Sequence, residues 1–323
     1  MRRVSFHLFA AAAIILLAAG CSYKALEFEF DYAGKGILHF DWSEAPGADP
    51  AYMVAVMHDG PDTEPRRFDL TKDGGYFRVR PGEWTPVAYN GDAALIYYNT
   101  ESPDTYIATT RTTSIQKATK IESKAPMPRS KAVENEPVIV EPDPMWFAVG
   151  KPMDMPANAD PTEQTLVMQP RTMEIEIIIR NIPNLRWTTQ YGGSVSGLAA
   201  GVHCTTGEPL AEPATEAFYM YSPDDSTLVA HITAFGVCPD VDGQEMPNHL
   251  VVYVILSDGT KWYYIQDITD IMHNAVYDEE KRLLVAVIET GIPVPTPVAG
   301  DSGFDPTIDE WVGVDIELTM SPE

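Results

Sequence analysis

Between Ile37 and Thr113 no stretch repeats its apolar residues with the period of a long helix. Short runs of β-branched and aromatic residues, broken by Gly and Pro, take its place, and such runs bury an apolar face only by pairing into sheets. Leu38, Phe40 and Trp42 alternate along one strand, and Tyr52 to Met57 is apolar throughout, which fits a strand covered on both faces. Met173, Ile175, Ile177 and Ile179 alternate with Glu174, Glu176 and Arg180 and predict a half-buried strand. Leu250 to Leu256 and Lys261 to Gln266 flank Ser257-Asp258-Gly259-Thr260, where Asp-Gly accepts the positive φ of a tight hairpin. Leu283 to Glu289 and Trp311 to Thr319 add strands, the latter expected to turn Val312, Val314, Ile316 and Leu318 inward. The one predicted helix runs from Thr269, as N-cap, to Val276. The fold class this implies is all-β, with two tandem β-sandwiches.

The chain opens with Arg2 and Arg3, an apolar run from Leu8 to Ala19, and Leu17-Ala18-Ala19-Gly20-Cys21. The run is short of the ~20 residues that span a bilayer, and its charged start and small-residue end are those of a cleavable export signal. Residues 1–20 therefore read as a lipoprotein signal peptide and Cys21 as the lipidated residue, which implies outer-membrane attachment. The alternative is an ordinary cut nearby that leaves Cys21 incidental. Residues 21–36 form a tether in which Leu26, Phe28 and Phe30 alternate with acids.

The formal net charge of −25 repels polyanions, so nucleic acid is excluded as a partner. Beyond Cys21 only Cys204 and Cys238 occur. An oxidising compartment permits a disulfide between them, and two separate buried thiols are the alternative. Length favours two domains, drawn at 37–160 and 161–323. Within the first, residues 113–144 are rich in Lys and Pro and read as a solvated surface excursion, after which Met145 to Val149 returns to the domain.

Phe40-Asp41-Trp42, Pro81-Gly82-Glu83-Trp84, Tyr89-Asn90 and Pro142-Asp143-Pro144-Met145-Trp146-Phe147, with Leu166 to Ile179 and Asp267-Ile268-Thr269, resemble the fimbrillin-associated lipoproteins of Bacteroidales. Ser302-Gly303-Phe304-Asp305 to Trp311 is similar to a related, uncharacterised lipoprotein group. The resemblance implies two transthyretin-like sandwiches, outer-membrane attachment and fimbrial subunits as partners joined by strand addition. With the tether at Cys21, the second domain faces the partner, and Trp311 to Thr319 is the candidate receptive strand.

No set of residues supports catalysis, a cofactor or a metal, so an enzyme is not expected. His39, His58, His203, His231, His249 and His273 lack zinc-motif spacing. Asp240-Val241-Asp242-Gly243-Gln244-Glu245 lacks the ligand positions of a calcium loop and reads as an acidic turn. Ser194 and Ser196 lie in a Gly-rich stretch that reads as a flexible loop or bulged edge, and Asp224-Asp225 and Glu279-Glu280 as solubilising turns. Tyr97-Tyr98 and Trp262-Tyr263-Tyr264 serve either core packing or, through an outward face, a glycan platform, which makes glycans the alternative partner.

Overall fold

The computed structural model describes residues 33–60, 64–99, 102–157, 159–240, 243–278, 283–289, 291–297 and 310–316. The expected signal peptide, Cys21, the alternating stretch Leu26 to Phe30, Glu279-Glu280 and Ser302 to Asp305 lie outside the described residues. The architecture is all-β, as the alternation requires, and the described residues form five sheets.

Sheet 1 has Gly34–Asp41 at its centre, antiparallel to Gly74–Val79 and parallel to Thr162–Val167. It faces sheet 2, in which Gln169–Pro170, Trp146–Val149, Gly82–Asn90, Met53–His58 and Arg66–Leu70 lie in that order, with Met153–Met155 also on Gly82–Asn90. Leu38, Phe40, Met53, Met57, Phe77, Trp84, Met155 and Leu166 fill the space between. Met53–His58 is buried along its whole length, as its continuous apolar run implies, because the far face of sheet 2 is covered too. That cover is sheet 3, where Ile107–Thr109 pairs with both Tyr97–Asn99 and Gly201–His203.

The second sandwich packs sheet 4, ordered Tyr221–Asp224, Thr227–Ala234, Met173–Ile179, Leu283–Ile288 and Val276–Asp278, on sheet 5. Sheet 5 is ordered Trp311–Ile316, Lys261–Asp267, His249–Leu256, Thr188–Ala199, Pro213–Tyr219 and Val138–Ile139. Ile175, Ile177 and Ile179 meet Val195, Phe218, Val252, Val254 and Tyr264 in its core. The predicted hairpin closes on Gly259 at φ +83°, with Asp258 Oδ1 accepting from Thr260 N at 2.9 Å.

Several expectations are corrected. Thr162–Val167 and Gln169–Pro170 complete sheets 1 and 2, so a division at 160/161 cuts into the first sandwich's strand set. Residues 113–144 are no solvated excursion. Val138–Ile139 is the terminal strand of sheet 5, and a helix at Ile115–Thr119, capped by Ser114, lies on that sheet's outer face. Ile115 and Ile121 are buried there against Ala217, Val251, Tyr253 and Ile255. The Gly-rich stretch is no loop either: it lies within Thr188–Ala199, an interior strand of sheet 5, with Ser194 and Ser196 each 2% exposed. Its small residues are required by the crowding on both sides. A Cβ on Gly192 would meet Thr119 at 2.9 Å, and one on Gly193 would meet Phe218 at 2.7 Å. The register slips between Val195 and Leu198, around Gly197 at φ +71°, which is the bulge that such a glycine permits. The helix after Asp267 spans only Thr269–His273, its N-cap is Ile268, and Val276 begins an exposed strand.

Candidate functional site

The two ends of sheet 5 differ. At one end Val138–Ile139 pairs in parallel with Pro213–Tyr219 and is itself backed by the preceding chain: Thr113 N donates to Val138 O at 2.8 Å and Val140 N to Arg111 O at 2.9 Å. Arg129 pins the same end, donating to Glu134 O, Glu136 O and Thr215 Oγ1 at 2.8–2.9 Å. At the other end Trp311–Ile316 pairs in parallel with Lys261–Asp267, and among the described residues no strand lies beyond it. Val314 and Ile316 reach the sandwich core, while Trp311 packs on the outer-face cluster, 5.5 Å from Tyr253 in a T-shaped contact. Val312, expected inward, is 44% exposed, because no neighbour among the described residues stands beyond the edge to cover it. A strand so placed offers N–H and C=O groups along its free side, the arrangement onto which a further strand adds.

Burial of carboxyls marks the seam at the closed end. Glu136 Oε2 accepts from Gly197 N at 3.2 Å and Thr215 Oγ1 at 2.9 Å, and Glu141 Oε1 accepts from Thr233 N at 2.8 Å. Desolvation raises both above the usual carboxylate range, against those hydrogen bonds. Glu216 is 1% exposed, and neither of its oxygens has a hydrogen-bond partner among the described residues. Burial first, and Glu141 second, push it well above the usual range. No local pattern in the sequence flags these groups, since only the packing of residues 113–144 brings Glu136 to Gly197 and Thr215 and Glu141 to Glu216.

The sequence-nominated residues are scattered. Cys204 and Cys238 are both free and buried, so the disulfide alternative is replaced by two separate thiols. Burial raises Cys204 to about 12 and Cys238 to about 11, which leaves both as weakly reactive neutral groups. Of the aromatic runs, Tyr97 is 55% exposed, but Tyr98 turns inward onto Tyr89, 4.2 Å between ring centroids. Trp262 and Tyr264 face the sandwich core and Tyr263 the cluster on the other face, so the expected outward row does not form there. Two exposed tyrosines close in sequence are Tyr219 and Tyr221, where Tyr221 stacks on His231 with 6.0 Å between centroids. His58 is buried against the Tyr106 hydroxyl at 2.8 Å, whereas His39 and His273 meet Glu163 and Glu245 at the surface. Asp224 caps its turn by accepting from Ser226 and Thr227. Val241 and Asp242 of the acidic turn lie outside the described residues. Among the described residues no group of three His, Cys, Asp or Glu side chains is placed to hold a metal, and no helix is long and apolar enough to cross a membrane.

Compared with known proteins, residues 20–219 match the family described as a domain of unknown function, DUF5119. The chain belongs to this family. That membership is compatible with the uncharacterised group named in the resemblance. A comparison with the curated proteins finds no match. Among solved structures, a candidate adhesin from Bacteroides ovatus ATCC 8483 superposes with a TM-score of 0.62 at 16% identity, over 87% of this chain and 98% of that one. It has the same fold. A second candidate adhesin from Bacteroides ovatus gives a TM-score of 0.47 at 11% identity, over 81% of this chain and 90% of that one. The fimbrial anchor protein Mfa2 from Porphyromonas gingivalis gives 0.42 at 10% identity, over 68% and 77%.

Proposed function

We propose that the protein is a non-catalytic outer-membrane lipoprotein, held by acyl chains on Cys21, that takes a structural or adhesive part in a fimbria-like surface assembly. It grips its partner by strand addition along Trp311–Ile316. The observation that carries this reading is the contrast within sheet 5, where one edge is closed by Val138–Ile139 and the other is left bare among the described residues. The fold shared with a candidate adhesin supports it. Each buried acyl methylene contributes about 0.8 kcal/mol, so more than one chain on Cys21 gives stable anchoring.

Two experiments test the reading. Replacing Cys21 with Ala releases the protein from the membrane fraction; a variant that stays with the membrane as fully as wild type removes the anchor. Photo-crosslinkers at Val312, Asp315 or Ile316 trap a fimbrial subunit in cells, and adducts no more frequent than at Lys117 remove the strand-addition mode.

A second reading, a glycan-binding lipoprotein, is favoured by Tyr219 and Tyr221. They are 56% and 41% exposed and flank the buried Met220. Tyrosine faces stack on sugar rings as they do on other apolar surfaces. A glycan array probed with wild type and with Tyr219→Ala/Tyr221→Ala separates this reading from the first, since only the glycan reading expects signal that the double variant loses.

A further inference from the structure

A strand added to the bare edge of sheet 5 would meet side chains as well as backbone. Along Trp311–Ile316 these alternate between the two faces of the sheet. Val312, Val314 and Ile316 lie in register with Trp262, Tyr264 and Gln266 on the core side. Trp311, Gly313 and Asp315 lie in register with Lys261, Tyr263 and Ile265 on the outer side. Trp311 is drawn in onto the outer-face cluster, whereas Gly313 and Asp315 are exposed.

The outer row has a gap at Gly313, and the neighbouring strand fills it. Tyr263 reaches across from Lys261–Asp267, so that a Cβ on Gly313 would collide with its hydroxyl and lie 2.8 Å from its Cε1. The phenol takes the place of the missing side chain, and only glycine admits it there. Among the described residues that hydroxyl has no hydrogen-bond partner. On an added strand, the residue directly opposite Gly313 would place its Cβ about 5 Å from the position of a Gly313 Cβ, and so roughly that far from the hydroxyl. An apolar side chain at that point buries the hydroxyl unpaired, at a cost, whereas the polar end of Asn, Ser or Thr closes the gap with a hydrogen bond. Two positions on, Asp315 stands beside Ile265 and makes no ion pair among the described residues. A carboxylate on the added strand opposite it is disfavoured and a cation favoured. Asp267, the next acid on that face of the neighbouring strand, is already taken up by Thr269, accepting from its N at 3.0 Å and its Oγ1 at 2.6 Å.

We propose that Tyr263, lying across Gly313, and Asp315 select which strand adds to this edge; the inference rests on the strand-addition reading above. The strand selected carries apolar residues against Val312 and Val314, Asn, Ser or Thr between those two, and Lys or Arg opposite Asp315.

The test displays a random library of segments about nine residues long, enough for one strand, and selects it on the chain from residue 21 onward carrying Cys21→Ala. The same selection is run on that chain with Val312→Lys, Tyr263→Phe or Asp315→Asn added. Segments that bind the edge are those captured by the parent and lost on Val312→Lys. Among them the expected result is an enrichment of about fivefold for Asn, Ser or Thr over Ala or Val at one central position with apolar residues on both sides. Tyr263→Phe, which keeps the ring over Gly313 and removes only the hydroxyl, abolishes that preference. Two positions away, Lys and Arg are enriched about threefold, and Asp315→Asn removes that enrichment while leaving the first in place. Edge-binding segments without the polar preference, or with one that Tyr263→Phe leaves unchanged, overturn the proposal and leave strand addition standing. If no captured segment is lost on Val312→Lys, strand addition at this edge is overturned and the proposal with it.

Discussion

The closed and bare ends of sheet 5 are made from chain of very different origin. The closed end takes its terminal strand, Val138–Ile139, from a segment that leaves the first half, crosses the outer face of sheet 5 and returns to sheet 2 at Trp146–Val149. The bare end is a strand from the last described part of the chain, whereas the strand before it, Leu283–Ile288, belongs to sheet 4. An exposed edge risks uncontrolled pairing, and proteins commonly cover, shorten or charge such edges. Here residues 113–144 serve one edge and face of sheet 5, and none of the described residues serves the other edge. On the proposed reading, the bare edge is the place where pairing with another chain is tolerated.

The largest effect that could break this comparison is removal of the cover. A piece comprising residues 171–323 lacks Ile115, Ile121 and Ile139, and the apolar outer face around Val251, Tyr253 and Ile255 is left open. It should aggregate or remain without a cooperative transition, whereas residues 33–323 melt cooperatively; a cooperatively folding 171–323 would show that the covering segment is dispensable. Smaller, but of diagnostic sign, is Glu216→Gln. The Glu216 carboxyl is raised in the fold, so its contribution is complete below the unfolded carboxylate range and is lost as pH rises through the folded value. Urea unfolding between about pH 5 and pH 9 should show wild type falling behind the Gln variant by about 1–3 kcal/mol at the alkaline end. A constant difference across that range would mean that Glu216 is not the titrating group.

The Tyr253 hydroxyl donates to Pro128 O at 2.6 Å and lies 3.3 Å from Ser194 Oγ, tying the covering segment to the middle of sheet 5. Tyr253→Phe should lower stability by about 1 kcal/mol in the same urea experiment and speed amide exchange in residues 121–133. No change in that exchange would mean that the hydroxyl does not hold the segment down. Val312→Lys, on the bare edge, should lie within about 0.5 kcal/mol of wild type while reducing crosslinks to a partner, because a charge on an edge opposes strand addition without disturbing the core. A loss of several kcal/mol would instead show that Val312 is packed.

Much of the sheet architecture was legible because it is written locally. The alternation in Met173–Ile179, the unbroken run in Leu250–Leu256 and the Asp258-Gly259 turn each state their burial within a few residues. The covering segment was not legible: Ile115, Ile121, Val133 and Ile139 are its buried anchors, and their spacing follows neither a strand nor a helix period, so lysines and prolines dominate its appearance. The interior strand through Gly192–Gly197 was hidden for the opposite reason, since the residues that let two layers approach it are those that usually mark loops. Of the strand expected at Trp311 to Thr319, residues 317–319 lie outside the described residues, and the described part, Trp311–Ile316, was legible. Its exposure at Val312 was not, because its parallel pairing with Lys261–Asp267 is long-range and has no turn to announce it. The same holds for the tyrosines: alternation alone does not say that both faces of Lys261–Asp267 are covered.

The most direct measurement of the central claim is amide hydrogen exchange on the isolated protein, resolved residue by residue across sheet 5. In Trp311–Ile316 the account predicts alternation, with amides that point to Lys261–Asp267 protected and those that point away exchanging near the solvent rate. In His249–Leu256, paired on both sides, every amide should be protected. Uniform protection along Trp311–Ile316 in the isolated protein would contradict the account, because the edge would then already be paired.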